Sequence, residues 1–279
     1  MTVAAETPAD QVRRVAGRIA NYLTRYDAAH DPRAVFAYTY LRLTTTLELS
    51  LRANDPPFRR PEWVSGLAQA LAAQYFAAMD GIDSWMATHD GQSGRMQAVD
   101  LPDEVSQPWQ DVYAATTGVR SYVLEDALFA MMAHMSYDLP VALQGMAELQ
   151  DAGDHIDDFH RMNAVLGSSI DQIQQEVASR YSRGLAVLDR LLARQDEIFS
   201  NYGIRLVRGM AWYNAARLQE PTAAAAATTS IARSTGAFIR EVRSPDDWRL
   251  RFVLRIGRWL IPERRSWPVV EQPDGARWQ

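Results

Sequence analysis

Residues Glu125 to Leu143 read EDALFAMMAHMSYDLPVAL, and this stretch most constrains the fold. On a helical wheel, residues 119–143 show no wide polar face. A helix that is apolar all round must be wrapped by neighbouring elements. Yet the stretch carries Asp126, His134 and Asp138. An unpaired buried charge costs several kcal/mol, against a domain's whole stability of about 5–15 kcal/mol. Each of these groups therefore needs a partner side chain, a metal ion or a wet pocket. His134 and Asp138 are four residues apart, on one helix face, within reach of each other or of a shared ligand. Pro140 lacks an N–H and crowds the carbonyl of Ser136, which predicts a kink beside the pair. Ser136 lies two residues from His134 and points to another helix face, and no G-x-S-x-G elbow occurs.

The rest of the chain supplies helices to do the wrapping. Val12, Val15, Ile19, Tyr22 and Leu23 line one side of a predicted helix near 8–28. Residues 34–51 are ambiguous: Thr44, Thr45 and Thr46 favour strand, whereas the length favours helix. The run ANDPPFRRP breaks the chain at 53–61, and helix resumes from Trp63 to Met79. Residues 88–108 are polar and loop-rich, a lid or a surface excursion. One or two helices follow over 109–150. Gly153 and Asp154 form a break and an N-cap, and helix is expected onward to about Ser200. Further helices are expected near 204–218, after Pro221, and up to Pro262, with a tail beyond. The expectation is an all-α, single multi-helix bundle domain over 1–279 with a buried polar site.

A second helix carries a matching oddity. Ile156, Phe159, Asn163, Leu166, Ile170, Ile173 and Val177 follow a three–four seam, and Asn163 stands where Leu or Ile is expected. His155 and Asp158 flank that seam. A short loop at 150–154 predicts that the two helices are antiparallel neighbours. His134, Asp138, His155, Asp158 and Asn163 would then converge. Tyr137, Trp212 and the methionines nearby suit a pocket for an apolar or aromatic small molecule. His155, His160, His30 and His89 are expected near the surface.

AHMSYDL at 133–139 and DFHRMN at 158–163 resemble motifs of an actinobacterial family catalogued as a domain of unknown function, family 5995. In that family an AHI-x-x-DL helix precedes a DF-x-x-(V/I)N helix. Weaker likenesses are FAYTYLRLT at 36–44, AWYNAARL at 211–218 and IARSTGAFI at 231–239. The resemblance covers most of the chain as one domain. Residue by residue it carries His134, Asp138, Asp158 and Asn163. It implies a site at these positions but no established activity. The family's usual hosts suggest a role in specialised metabolism.

Composition narrows the chemistry. The chain has no cysteine, which excludes disulfides, thiolate nucleophiles and cysteine-ligated metals. All 29 basic residues are arginine, which excludes a lysine Schiff base and a P-loop lysine. A net charge of −5 disfavours nucleic acid as a partner. No secretory leader and no run of about 18 apolar residues is present, so the expectation is a cytoplasmic protein without a transmembrane segment. Arg251, Arg255 and Arg258 line one side of the last helix. Such a face is ordinarily solvated while the apolar side docks; the alternative is contact with an anionic membrane or a partner.

Three readings stand for His134 and Asp138: a structural hydrogen-bonded pair, an acid–base pair in which Asp138 orients His134, or metal ligation. The leading expectation is a small-molecule enzyme performing cyclisation, isomerisation, elimination or hydrolysis. His134, Asp138 and Asp158 would act on the reaction, with Asn163, Tyr137 and Trp212 binding substrate. No cofactor is required. A divalent metal, held by His134, Asp138, His155 and Asp158, would instead make a hydrolase or oxygenase. A non-enzymatic binding or assembly protein, including a homo-oligomer, is the other alternative.

Overall fold

The computed structural model describes residues 6–89, 101–117, 123–146, 152–181 and 201–260. Every regular element among them is helical, as the sequence predicts. In chain order these are α1 (Pro8–Ala28), α2 (Arg33–Arg52), α3 (Pro61–Thr88), α4 (Gln107–Thr117) and α5 (Val123–Ala133), then a π-helical turn (His134–Asp138). They continue as α6 (Leu139–Gly145), α7 (Ala152–Gly167), α8 (Ile170–Tyr181), α9 (Asn201–Leu218), α10 (Ala224–Arg243) and α11 (Trp248–Leu260). None of these helices is long and apolar enough to cross a membrane.

Local chemistry explains the helix starts and the ambiguous segment. Thr7 caps α1 by accepting from the Asp10 amide at 3.2 Å, with Pro8 opening the first turn. Residues 34–51 resolve as helix α2 despite their threonines. Thr39, Thr45 and Thr46 donate their hydroxyls to the carbonyls four residues earlier, at 3.0, 2.8 and 3.1 Å. Each hydroxyl is satisfied within the helix, which removes the polar cost of Thr there.

The described residues pack as two compact units, each drawn from separated segments: residues 6–70, 146, 152–181 and 201–205, and residues 71–89, 101–117, 123–145 and 206–260. In the first unit α2 packs on α1, α7 and α8. The core of that packing includes Val12, Ile19, Tyr22, Val35, Phe36, Phe159 and Ile173. Polar ties fix α8. Buried Asp27 accepts from the Tyr181 hydroxyl at 2.8 Å and from Arg180 at 2.6 Å. Glu176 accepts from Tyr38 and from Arg42, both at 3.1 Å.

In the second unit α10 packs on α4, on α5 and on the π-helical turn. Leu218, Ala227 and Ile231 form an apolar cluster there, against which Tyr137 and Val141 lie half-buried. Gln144 donates to the carbonyl of Leu218 at 3.0 Å, tying α6 to the end of α9.

Several sequence expectations need correction. Helix α7 begins at Ala152, so Gly153 and Asp154 lie within its first turn rather than forming a break and a cap. The continuous helix expected to about Ser200 is interrupted at Ser168–Ser169, where both hydroxyls donate to carbonyls three residues back. In α11 Arg251 and Arg255 are solvated as expected, but the apolar side does not dock. Trp248, Phe252, Val253, Ile256 and Trp259 are exposed, while Arg258 is the side chain that reaches into the unit. Residues 90–100 of the expected lid, 150–151 of the expected short loop, the segment 182–200 and the tail from 262 lie outside the described residues.

Candidate functional site

The site of the second unit is built on the π-helical turn His134–Asp138. The amide of Leu139 donates to the carbonyl of His134, five residues back instead of four. The widened register ends at the residue before Pro140. Proline has no N–H to continue either ladder, and its ring would crowd the Ser136 carbonyl in an α-helical turn. The kink predicted from Pro140 therefore takes the form of a wide turn, and it holds the AHMSYDL motif.

Asp126, His134 and Asp138 are all buried, as the helical wheel predicts. Nδ1 of His134 lies 3.1 Å from Oδ2 of Asp138. Trp109, on α4, donates its indole N–H to both Asp138 oxygens, at 3.1 and 3.0 Å. Tyr75, on α3, meets the His134 ring edge-on at 6.1 Å between centroids and the Trp109 ring at 5.6 Å. All four side chains are almost wholly shielded from water. Burial pushes the Asp138 carboxyl above the usual carboxylate range, while the His134 and Trp109 hydrogen bonds pull it back. An indole N–H only donates, so both Asp138 oxygens are acceptors toward Trp109. With Nδ1–H donated to the carboxylate, Nε2 is the basic nitrogen of neutral His134.

Trp109 and Tyr75 were not identified from the sequence. The only available signal was general: a buried indole N–H needs an acceptor. Tyr137 lies within the motif but packs against Leu218, Ala227 and Ile231, and its hydroxyl is pushed up by burial and by the Asp138 charge. Trp212 is half-buried on α9.

Glu125, at the start of the same stretch, has a partner as well. Arg258 donates Nη2 and Nε to the two Glu125 oxygens at 2.6 and 3.1 Å, and Nη1 to the Arg243 carbonyl at 2.9 Å. Arg243 stands 4.0 Å from the same carboxylate. Burial and the Arg258 charge both lower the Arg243 pKa. This cluster ties α5, α10 and α11 together.

His155, Asp158 and Asn163 belong to the first unit, and all three are buried. Asp158 accepts from the backbone amides of Arg59 and Arg60 at 2.9 and 2.6 Å, immediately before α3. Arg161 donates to the same carboxylate at 3.4 Å and to the Pro57 carbonyl at 3.1 Å. Asp158 thus holds the break at 53–60 and presents negative charge to a helix N-terminus. His155, expected at the surface, stacks on Trp63 at 4.9 Å with the rings 16° from parallel. His160 and His30 are exposed, as predicted; His89 is half-buried and stacks on Trp85 at 4.5 Å. Among the described residues no three His, Asp or Glu side chains gather as a metal-binding group.

These features define a helical protein whose second unit holds a buried Trp–Asp–His cluster on a π-helical turn. The chain belongs to the family of unknown function DUF5995, which matches residues 12–245. No curated protein and no solved structure matches it.

Proposed function

We propose that the protein is a cytoplasmic enzyme acting on an apolar or aromatic small molecule, with His134 as general base or acid and Asp138 as its positioning partner. The observation that carries this reading is the bond between His134 Nδ1 and Asp138, whose carboxylate is itself held by the Trp109 indole. A carboxylate that accepts Nδ1–H selects one tautomer, orients the ring and stabilises the imidazolium form. Single-turn π-helical bulges are frequent at functional sites, which also supports the reading. Proton transfer by His134 suits cyclisation, isomerisation, elimination or hydrolysis. The proposal uses the second unit alone, because the Asp158 oxygens are engaged by the Arg59 and Arg60 amides.

A second reading, a purely structural network, has its own support. Tyr75, Trp109, His134 and Asp138 are all sealed from water, and the indole engages both oxygens of Asp138. Satisfied buried networks specify packing without any chemistry.

Incubation with a library of apolar and aromatic metabolites, read by mass spectrometry, separates the two. The enzyme reading expects a product formed by wild type and lost by at least 100-fold in His134→Gln, with the helical circular dichroism unchanged. Product formation at the wild-type rate by the folded His134→Gln chain overturns it. No product from any compound, with a sharp loss of stability in His134→Gln, favours the structural network.

A further inference from the structure

Helix α11 presents the opposite of an ordinary surface helix. Trp248 and Trp259, at its two ends, are 69% and 71% exposed. Phe252, Val253 and Ile256 lie exposed between them. At 100° per residue, Trp248, Phe252, Ile256 and Trp259 fall on one face, with Val253 at its margin. The helix is nevertheless anchored. Arg258 reaches buried Glu125, and Arg251 donates to the carbonyls of Pro245 and Asp246 at 2.8 and 3.1 Å. The outward aromatic face is therefore the result of a specific attachment on the other side.

Its charge decides the occupant. Residues 248–260 hold four arginines and no acidic residue, in a chain of net charge −5. Two of them, Arg251 and Arg258, are used in the anchor. The other two, Arg249 and Arg255, are exposed beside the aromatic face, Arg249 lying 5.6 Å from the Trp248 ring. A second copy of the chain docking through this face would bring four guanidinium groups together with no carboxylate on either helix. An anionic lipid surface offsets that charge and accepts the apolar side chains. Tryptophan suits the headgroup boundary, since its ring is apolar and its N–H polar. Arginine stems lie along apolar surface while their charged heads reach the phosphates.

We propose that α11 is a membrane-surface helix that seats Trp248, Phe252, Ile256 and Trp259 in the outer layer of an anionic bilayer, with Arg249 and Arg255 on lipid phosphates. Each interfacial arginine adds about 1 kcal/mol of attraction to an anionic surface, roughly five-fold in partitioning, and salt screens it.

The test is co-sedimentation of the full chain with phosphatidylglycerol–phosphatidylcholine vesicles and with pure phosphatidylcholine vesicles. Wild type is expected to partition to the anionic vesicles. Trp248→Ser with Trp259→Ser should lose at least ten-fold of that binding. Arg249→Gln with Arg255→Gln should lose the preference for anionic over neutral lipid, as should salt at about 0.5 M. All four side chains are exposed, so the variants should keep the wild-type melting temperature. Absence of wild-type binding to anionic vesicles overturns the proposal, and so does undiminished binding by the double tryptophan variant. A wild-type dimer that becomes monomeric in the tryptophan variant, with no lipid binding, assigns the face to a second copy instead.

Discussion

Trp109 donates its indole N–H to both oxygens of Asp138, at 3.1 and 3.0 Å, while His134 Nδ1 lies 3.1 Å from one of them. The carboxylate is buried to 1% exposure, too deep for water to satisfy it from outside. Its orientation is therefore set by two neighbours, one on α4 and one on its own turn, while burial raises its pKa against their pull.

Trp109→Phe keeps an aromatic ring but removes the donor. Asp138 then loses one of its two hydrogen-bonding neighbours in a water-free setting, a loss of about 1–3 kcal/mol. Urea unfolding should show a lower midpoint with an unchanged slope. A variant within about 0.5 kcal/mol of wild type would show that the indole bond has no net value.

The raised Asp138 pKa gives a pH signature. Between the unfolded value of about 3.8 and the higher folded value, the native chain holds a proton that the unfolded chain has released. Stability from this group is complete below the unfolded pKa and falls as pH rises through the folded one, by up to about 1.4 kcal/mol per pH unit. Asp138→Asn removes that dependence. The stability of the variant minus that of wild type should therefore climb as pH rises from about 4. A flat difference from pH 3 to pH 8 contradicts the assignment (roughly the span over which a buried carboxyl titrates).

The His134–Asp138 pair was legible in the sequence because it is local. Four-residue spacing on an apolar helix, combined with the cost of buried charge, leaves few arrangements. Trp109 was not legible, because its bond to Asp138 spans 29 positions and no local pattern pairs them. His155 failed for the same reason: its place near a helix start suggested solvent, but Trp63, from a distant segment, covers it. In α11 the amphipathic pattern was plain, but a pattern does not say which face docks. Glu125 decides that by offering a buried carboxylate to Arg258. The threonines of α2 left that segment ambiguous through propensity alone, and the hydroxyls of Thr39, Thr45 and Thr46 are satisfied inside the helix.

Asp158 tests the capping role in the first unit. Asp158→Ala strips the acceptors from the Arg59 and Arg60 amides and from Arg161. The cost of losing such a cap is about 1–2 kcal/mol, rising to about 3 kcal/mol where the amides stay shielded from water. Hydrogen exchange at Arg59 and Arg60 should accelerate well beyond that of the α1 core. Unchanged protection of both amides would falsify the capping role.

Arg258→Ala removes the guanidinium that engages both oxygens of buried Glu125. Breaking a buried pair from one side costs about 3–5 kcal/mol. Arg258 is also the side chain that anchors α11, so trypsin should cut first at Arg249, Arg251 or Arg255. Glu125→Gln with Arg258→Met should recover most of the stability, since both members of the buried pair are then neutral. Equal instability of the single and double variants would place the loss elsewhere.

Gly236 lets α10 approach α4. A Cβ there would collide with the Asp111 carboxylate and stand 2.9 Å from Nη1 of Arg240, in the middle of the Asp111–Arg240 ion pair at 2.6 Å. Two effects oppose each other in Gly236→Ala. Alanine favours a helix interior by roughly 0.5–1 kcal/mol, whereas forcing extra volume into a filled contact costs about 1–3 kcal/mol. In the wild-type background the steric term should win, and the variant should be less stable. Asp111→Ala removes the obstructing carboxylate and frees Arg240, which is half exposed, to move away. Gly236→Ala should then become neutral or stabilising, a reversal of sign across the double-mutant cycle. The same destabilisation in both backgrounds would mean that the helix backbones, rather than the ion pair, set the space at Gly236.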